Sequence, residues 1–554
     1  TSYENVVIGY NAAQVATARN LTVMGRAALS AMVTGNNQTA LGHETLATLT
    51  SGTSNVAVGK GAGSAMPSGN YNVFVGESAG RGNASASAVA QYNTFLGAFS
   101  GYDITTGEQN IGVGAFTHYD ITTGYSNIAI GYNSMYSNTT GHSNTALGHQ
   151  ALRSGTIGIR NTAVGYNALR KNTTDKNVAL GYYALEANTT GSYNTAIGFE
   201  ALAVNVHGDR HTAVGYQALQ NLATADNDGY DTAVGYQAGR LTTTGRYNVY
   251  MGTEAGYTNT SGDQNVYIGY AAGYTDNGSD ENVMIGSQAG YDNAAGGYNV
   301  FIGAKAAVNA TAVDSSVIIG RQAAGAAAAT GDDNVIMGYR AAYDLTSGYS
   351  LVAIGYEAGA NVTSANRSTY IGYQAGHAQV ASAEYSVMIG EVAGYDVSGQ
   401  RNTIVGGGAG HNAKVDTAES TFIGYNAGAN ASGANSTYVG ASAGVSVNAG
   451  AQNTAVGKSA LRTVTGSNNT AIGYNAMGDG AGDADSSVAV GNRALQAITD
   501  GGSNVAVGDY AMAGATTASY NTGIGDEVGK NSNTDSNVWV GFRAGEKQAG
   551  GSGK

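Results

Sequence analysis

Along the whole chain, apolar and polar positions alternate in a short block that returns about every 17 residues. The block reads Asn-(Thr/Val)-x-(Ile/Val)-Gly-Tyr-x-Ala-(Gly/Leu). Positions are numbered from its anchor glycine, which runs from Gly9, Gly25 and Gly42 through Gly148, Gly165 and Gly181 to Gly508, Gly525 and Gly541. There are 32 copies. At −3 every copy has Val, Thr or Ile, and at −1 every copy has Ile, Val, Leu or Met. This two-residue alternation predicts a strand before each anchor, and the period is too short for a helical hairpin. No copy offers i, i+3, i+4, i+7 apolar spacing over a useful length, so helix is the weaker reading. Linking stretches such as Asn172-Thr173-Thr174-Asp175 and Thr258-Asn259-Thr260-Ser261-Gly262 are polar and turn-rich.

A coil of this length with one or two short strands predicts an all-β protein, a β-solenoid or parallel β-roll. Coils stacked at ~4.8 Å would make a rod on the order of 150 Å long. At −4 there are 21 Asn and 6 Ser, which predicts an amide ladder running coil over coil. The anchor glycine permits a sharp bend or a close backbone approach. Most intervals are 16 to 18 residues; the outliers are 21 (Gly76 to Gly97) and 20 (Gly215 to Gly235), which predict loop insertions at 83–91 and 223–229. Residues 1–549 read as one continuous array and 550–554 as a short Gly/Ser tail.

One correlation says more than the consensus. At −2, 14 copies carry a large residue, among them Phe74, Tyr250, Tyr267, Phe422 and Trp539, and all of these have Gly or Ala at +4. In 16 copies −2 is Ala or Gly, and 12 of those have Leu, Met or His at +4, as in Ala146/Leu152 and Ala163/Leu169. Ala57/Gly63, Ala233/Gly239, Ala353/Gly359 and Gly523/Gly529 break the rule. Reciprocal volume implies that both positions fill one space. That space lies on the opposite strand face from −3 and −1, so both faces are apolar, and a solenoid wall has only one inside. With −3 read as interior, the other face should meet another chain. A 17-residue coil also encloses little core of its own. An intertwined or side-by-side oligomer answers both problems, a homotrimer about an axis being the preferred form, although the spacing does not count chains.

Repeats such as Asn161-Thr-Ala-Val-Gly-Tyr-Asn-Ala-Leu169 and Asn194-Thr-Ala-Ile-Gly-Phe-Glu-Ala-Leu202 resemble those of phage tail fibres. They are also similar to the left-handed parallel β-roll heads of trimeric autotransporter adhesins, with their Ser-Val-Ala-Ile-Gly strands. The resemblance spans essentially the whole chain. It implies a trimeric, extracellular, non-enzymatic fibre on a virion tail or cell surface, with a host-binding surface for a glycan or receptor. Adhesin heads use a shorter repeat, and this sequence carries no neck, stalk, membrane anchor or chaperone-like end domain.

Composition narrows the classes further. Of 554 residues 85 are Gly, 37 Tyr, 1 Pro and none Cys, and only 11% are charged, too few for an ordinary multidomain enzyme. The net charge of −13 with no basic run argues against nucleic acid or an anionic membrane surface as partner. Without cysteine there is no disulfide framework and no thiolate metal site. No run of about 18 apolar residues predicts membrane insertion.

Candidate chemistry is sparse. The eight histidines (His43, His118, His142, His149, His207, His211, His377, His411) are dispersed, and the His207/His211 pair has no third ligand nearby. The string Gly406-Gly407-Gly408-Ala409-Gly410 mimics a phosphate loop but lacks the Lys-Ser/Thr that would follow. Asp226-Asn227-Asp228-Gly229-Tyr230-Asp231 and Asp276-Asn277-Gly278-Ser279-Asp280 place hard oxygens around a turn, as calcium would need and as an Asx-rich turn equally needs. Asn-x-Ser/Thr triplets (Asn83, Asn138, Asn172, Asn188, Asn259, Asn309, Asn361, Asn430) follow from loop composition, glycosylation being the alternative. No catalytic, cofactor or metal residue is assigned.

Three functional classes remain. A structural fibre or adhesin fits best. An ice-binding or ice-nucleating solenoid would need a regular exposed Thr array, whereas Thr195, Val178, Val249 and Thr369 mix at a position read as interior. A carbohydrate-cleaving β-helix would need clustered carboxylates with aromatics on consecutive coils, and these are not found.

Overall fold

The period-two pattern becomes a three-residue strand, −3 to −1, in every copy. In the computed structural model, residues 4–31, 33–83, 89–154, 158–223, 229–378, 384–413, 418–447, 450–480 and 482–546 are described. Residues 84–88 and 224–228 of the two expected insertions and the 550–554 tail lie outside them. The described residues form 32 strands and no helix, and none therefore that could cross a membrane. The chain has two compact units, Thr1–Asp280 and Glu281–Lys554. The first contains β1 (Val6–Ile8) to β16 (Val266–Ile268), the second β17 (Val283–Ile285) to β32 (Val538–Val540). Each unit is a parallel β-solenoid of the predicted coil.

Register is strict: Thr162, Ala163 and Val164 pair with Thr145, Ala146 and Leu147 below and with Val178, Ala179 and Leu180 above. Each repeat position therefore stacks on itself. The anchor shows why glycine is required, since Gly148 has φ +141° and a Cβ there would lie 2.7 Å from the carbonyl carbon of Gly165. Beyond the anchor, non-glycine residues also adopt left-handed φ, at +2 (Asn167, 57°), +4 (Leu169, 50°) and −5 (Arg160, 57°). Each such residue costs roughly 1–2 kcal/mol. The return is axial hydrogen bonding: Asn167 N–H donates to His149 at 3.0 Å, Leu169 to Ala184 at 3.0 Å and Arg160 to His142 at 3.1 Å. The turns are thus bonded coil to coil as the strands are.

The amide ladder at −4 is buried and fully used. Asn127 Nδ2 donates to Asn110 Oδ1 (3.1 Å) and to the Gly141 carbonyl (2.8 Å), and its Oδ1 accepts the Asn144 N–H at 3.0 Å. A second inner row at +7 does similar work, with Asn188 Nδ2 donating to Asn172 Oδ1 (2.6 Å) and the Gly191 carbonyl (2.8 Å).

The interior belongs to −2, +3 and +4, not to −3. The central residue is buried in every strand except the first, while −3 and −1 are partly or fully exposed throughout. The reading of −3 as interior is corrected accordingly: strand alternation separates the faces, and the reciprocal volumes mark the enclosed one. A Cβ on Gly256 would collide with the Tyr250 ring of its own coil, as one on Gly428 would with Phe422 (2.8 Å). The four exceptions obey the same steric rule across a coil boundary. A Cβ on Gly63 would lie 3.2 Å from Phe74, on Gly239 2.5 Å from Tyr250, on Gly359 2.9 Å from Tyr370 and on Gly529 2.9 Å from Trp539. Each of these rings belongs to the next coil. Those four are the only places where a small −2 residue precedes a large one.

Two predictions follow from this packing. Ala146→Tyr alone should overpack its coil at a cost of roughly 1–3 kcal/mol. Leu152→Gly alone should leave a void costing roughly 2–5 kcal/mol, reduced because glycine relieves the left-handed φ there. The double variant should beat the summed losses by about 1 kcal/mol or more, and adding Met135→Gly in the preceding coil should restore more still. Denaturation of the set measures this; additive losses would mean the side chains do not share a space. Separately, Asn127→Ala should cost roughly 1–3 kcal/mol for each backbone group left unpaired, with faster hydrogen exchange at Asn144 as its local signature.

Candidate functional site

The outward positions, −5, −3, −1 and +1, make up the candidate site. Ile130 is 37% exposed, Leu147 45% and Leu180 45%, so −1 forms an aliphatic column facing solvent. Beside it, at +1, Tyr132, His149, Tyr166, Tyr182, Phe199, Tyr216 and Tyr236 stack over seven successive coils. Their centroids are 4.9–5.5 Å apart and the planes within 20°. Strict register brings this about, because rings at one repeat position arrive one coil apart. Other stacks stand at +5, where Tyr102, Tyr119 and Tyr136 are 4.8 Å apart, and at −5, where Tyr71 and Tyr92 are 5.2 Å apart. Cations close several of them: Arg81 lies 4.9 Å from the Tyr102 centroid and Arg153 5.7 Å from that of Tyr136. The stacks were missed in the sequence, although their signal, the Tyr after the anchor, is part of the consensus.

The sequence candidates scatter. His207 bonds Thr190 on the surface (2.6 Å), while His211 is buried in the ladder at −4, so the pair does not converge. Asp226–Asp228 of the first oxygen-rich turn lie outside the described residues, and Asp231 points inward. In the second turn the oxygens are engaged separately. Asp276 accepts from the Tyr267 hydroxyl and from Ser279 N–H (3.2 Å), Asn277 from Thr260 (2.6 Å) and Asp280 from Asp263 N–H (2.8 Å). One of these bonds closes the turn locally, and two tie it to the preceding coil. Among the described residues no three His, Asp or Glu side chains gather as a metal would need. The string 406–410 is an ordinary coil in which Gly406, Gly408 and Gly410 occupy the anchor, +2 and +4 at positive φ, with Gly407 at +1. Asn138, Asn172, Asn188 and Asn259 are buried at +7 and closed to glycosylation in the folded chain.

Titratable groups replace the usual residues at two core places. His211 and Asp231 take consecutive ladder positions and keep its backbone bonds: Asn194 Oδ1 accepts His211 N–H at 2.9 Å, and Asp231 Oδ1 accepts Asn248 N–H at 2.8 Å. His211 Nδ1 stands 3.4 Å from Asp231 Oδ2. Burial pushes the Asp231 carboxyl up, opposed by His211 and Asn248. His118 sits at +4, where other coils with a small −2 residue mostly have Leu or Met, with its ring 6.0 Å from Phe95 and no ring hydrogen bond among the described residues. Burial pushes it down to about 3.

What this arrangement offers outward is a repetitive apolar and aromatic surface. No protein-family model matches the chain, and no curated protein matches it.

His118 gives a pH prediction. Its folded pKa lies below the unfolded value, so the unfolded chain takes up the proton first and stability falls as pH drops from about 6.5 toward 3. Full desolvation would make this loss about 4–5 kcal/mol. His118→Met should flatten that limb of the stability–pH curve; an unchanged acid limb would show that the imidazole is not held neutral.

Proposed function

We propose that this chain is a non-enzymatic structural fibre or adhesin, an extracellular scaffold on a virion tail or cell surface. Its coils provide length, and its Asn/Thr-rich loops contact a host glycan or receptor. Copies associate through their outer strand faces, three about an axis. The observation that carries this reading is the unpartnered outer face: all-parallel sheets normally have both faces covered. Sixteen three-residue strands in one unit, at ~4.8 Å spacing and ~3.3 Å per residue, present roughly 800 Å². A standard interface uses roughly 800 Å² per partner. The resemblance to tail-fibre and adhesin repeats supports the same reading.

The native mass should be a multiple of the 55.7 kDa chain, and three chains are expected. Leu147→Lys with Leu180→Lys charges the outer column without touching the core, so it should lower the native mass while β circular dichroism persists. A folded wild-type monomer at micromolar concentration would overturn the association.

One observation favours a second reading. With −3 outside, Thr403, Thr421, Thr437, Thr454 and Thr470 stand in one outward column over five successive coils, in register. Such a regular hydroxyl column is what an ice-binding face needs. Thermal hysteresis that is lost on Thr437→Lys with Thr454→Lys would support ice binding; no hysteresis in the wild type removes it.

A further inference from the structure

The chain has 37 tyrosines and no cysteine, so no disulfide can tie one coil to the next. What stands at coil-to-coil distance instead is phenol on phenol. Tyr102 and Tyr119 stack at 4.8 Å with planes 1° apart, and Tyr119 and Tyr136 at 4.8 Å and 6°. All three residues are half-buried. On the outer face Tyr166 stacks on Tyr182, and Tyr216 on Tyr236, each at 5.1 Å, with Phe199 interposed between the two pairs. Tyr250 and Tyr267 form a contrasting pair, fully buried and tilted by 43°.

We propose that the stacked tyrosines are a covalent modification site, at which a peroxide and a haem-peroxidase-type one-electron oxidant couple phenols of successive coils into dityrosine. Each phenol gives up one electron and one proton. The two phenoxyl radicals join through a new bond between ortho carbons, and the two ortho hydrogens move to the phenolic oxygens. One hydrogen peroxide is reduced to two waters for each bond formed. Proximity favours the in-register neighbour, because a radical on Tyr119 has a phenol ring on either side and the rings need only swing about χ1 and χ2. Burial also keeps the Tyr119 and Tyr136 phenols protonated beyond the ordinary range, helped by neighbouring tyrosines and aspartates. The product would staple coil to coil where the composition supplies no thiol, and it would slow unfolding.

The test is treatment of the folded full chain at low concentration with peroxidase and hydrogen peroxide, followed by dityrosine fluorescence and peptide mapping of the cross-links. The expected links are Tyr102–Tyr119 or Tyr119–Tyr136, Tyr166–Tyr182 and Tyr216–Tyr236, and by the same geometry Tyr71–Tyr92, Tyr230–Tyr247, Tyr257–Tyr274 and Tyr356–Tyr373, with none across Phe199 and none at Tyr250–Tyr267. Tyr119→Phe keeps a stacking ring and should abolish coupling in the first group while leaving Tyr216–Tyr236 intact. Absence of dityrosine, links that fall on non-neighbouring tyrosines, or a map unchanged by Tyr119→Phe would each overturn the proposal. Chain unfolded in denaturant should lose the neighbour preference; the same map from unfolded chain would also count against it.

Discussion

The Asn side chain at −4 brings two donors and an acceptor into a place water does not reach. Its partners are the amide and backbone groups of adjoining coils, as at Asn110, Asn127 and Asn144. A one-residue slip would leave all of them unpaired, and each buried unpaired group costs roughly 1–3 kcal/mol. The ladder therefore fixes register more strongly than the three-residue strands can. Where another residue stands in its place, the backbone half of the pattern survives: Leu351 N–H still reaches Asn334 Oδ1 at 2.9 Å, and Asn334 N–H reaches the Ser316 hydroxyl at 3.0 Å.

Once register is fixed, every position meets its own kind, and the remaining features follow. Inside, the shared space of −2 and +4 must be filled once and not twice, along the chain as well as within a coil; hence Gly63, Gly239, Gly359 and Gly529 precede Phe74, Tyr250, Tyr370 and Trp539. Outside, the same stacking turns isolated tyrosines into ring columns and isolated valines into an apolar stripe. The left-handed residues at +2, +4 and −5 are the cost of carrying axial hydrogen bonds around the turns.

Much of this was legible in the residues. The β-branched and aliphatic alternation located every strand, and the reciprocal volumes identified two side chains that do meet. Which face is inner was misread, because period two separates faces without giving them a sign. The sign lay in the volumes: only an enclosed space forces Ala146 to accompany Leu152 and Tyr250 to accompany Gly256. His118 could be found the same way, as the large +4 partner of Gly112. His211 and Asp231 were visible as ladder positions by counting back from Gly215 and Gly235, but their residue types drew them toward metal chemistry instead. At the Asp276 turn, hydrogen bonding and cation binding call on the same residue types, and only geometry shows which partner each oxygen takes.

The outer columns also differ in what they can tolerate, which locates the seam an associating partner would use. At −3, Thr and Val occur in equal number, 15 of each, with Ile in the remaining 2 copies. Val and Thr have similar shape, but a hydroxyl sealed in a dry contact without a partner is costly, so a column that accepts both keeps its hydroxyls near water or hydrogen-bonded. At −1 no copy has a hydroxyl at all; every one is Ile, Val, Leu or Met. That column is as exposed as its neighbour in the single chain, Leu147 and Leu180 both at 45%, so burial within one chain does not account for the restriction. Exclusion of water by something outside the chain would. The dry centre of any interchain contact then runs along −1, flanked by the ring stack at +1, with −3 at its wetter rim. A face used for ice would put the demand the other way round, with hydroxyls kept at −3 and −1 free to vary.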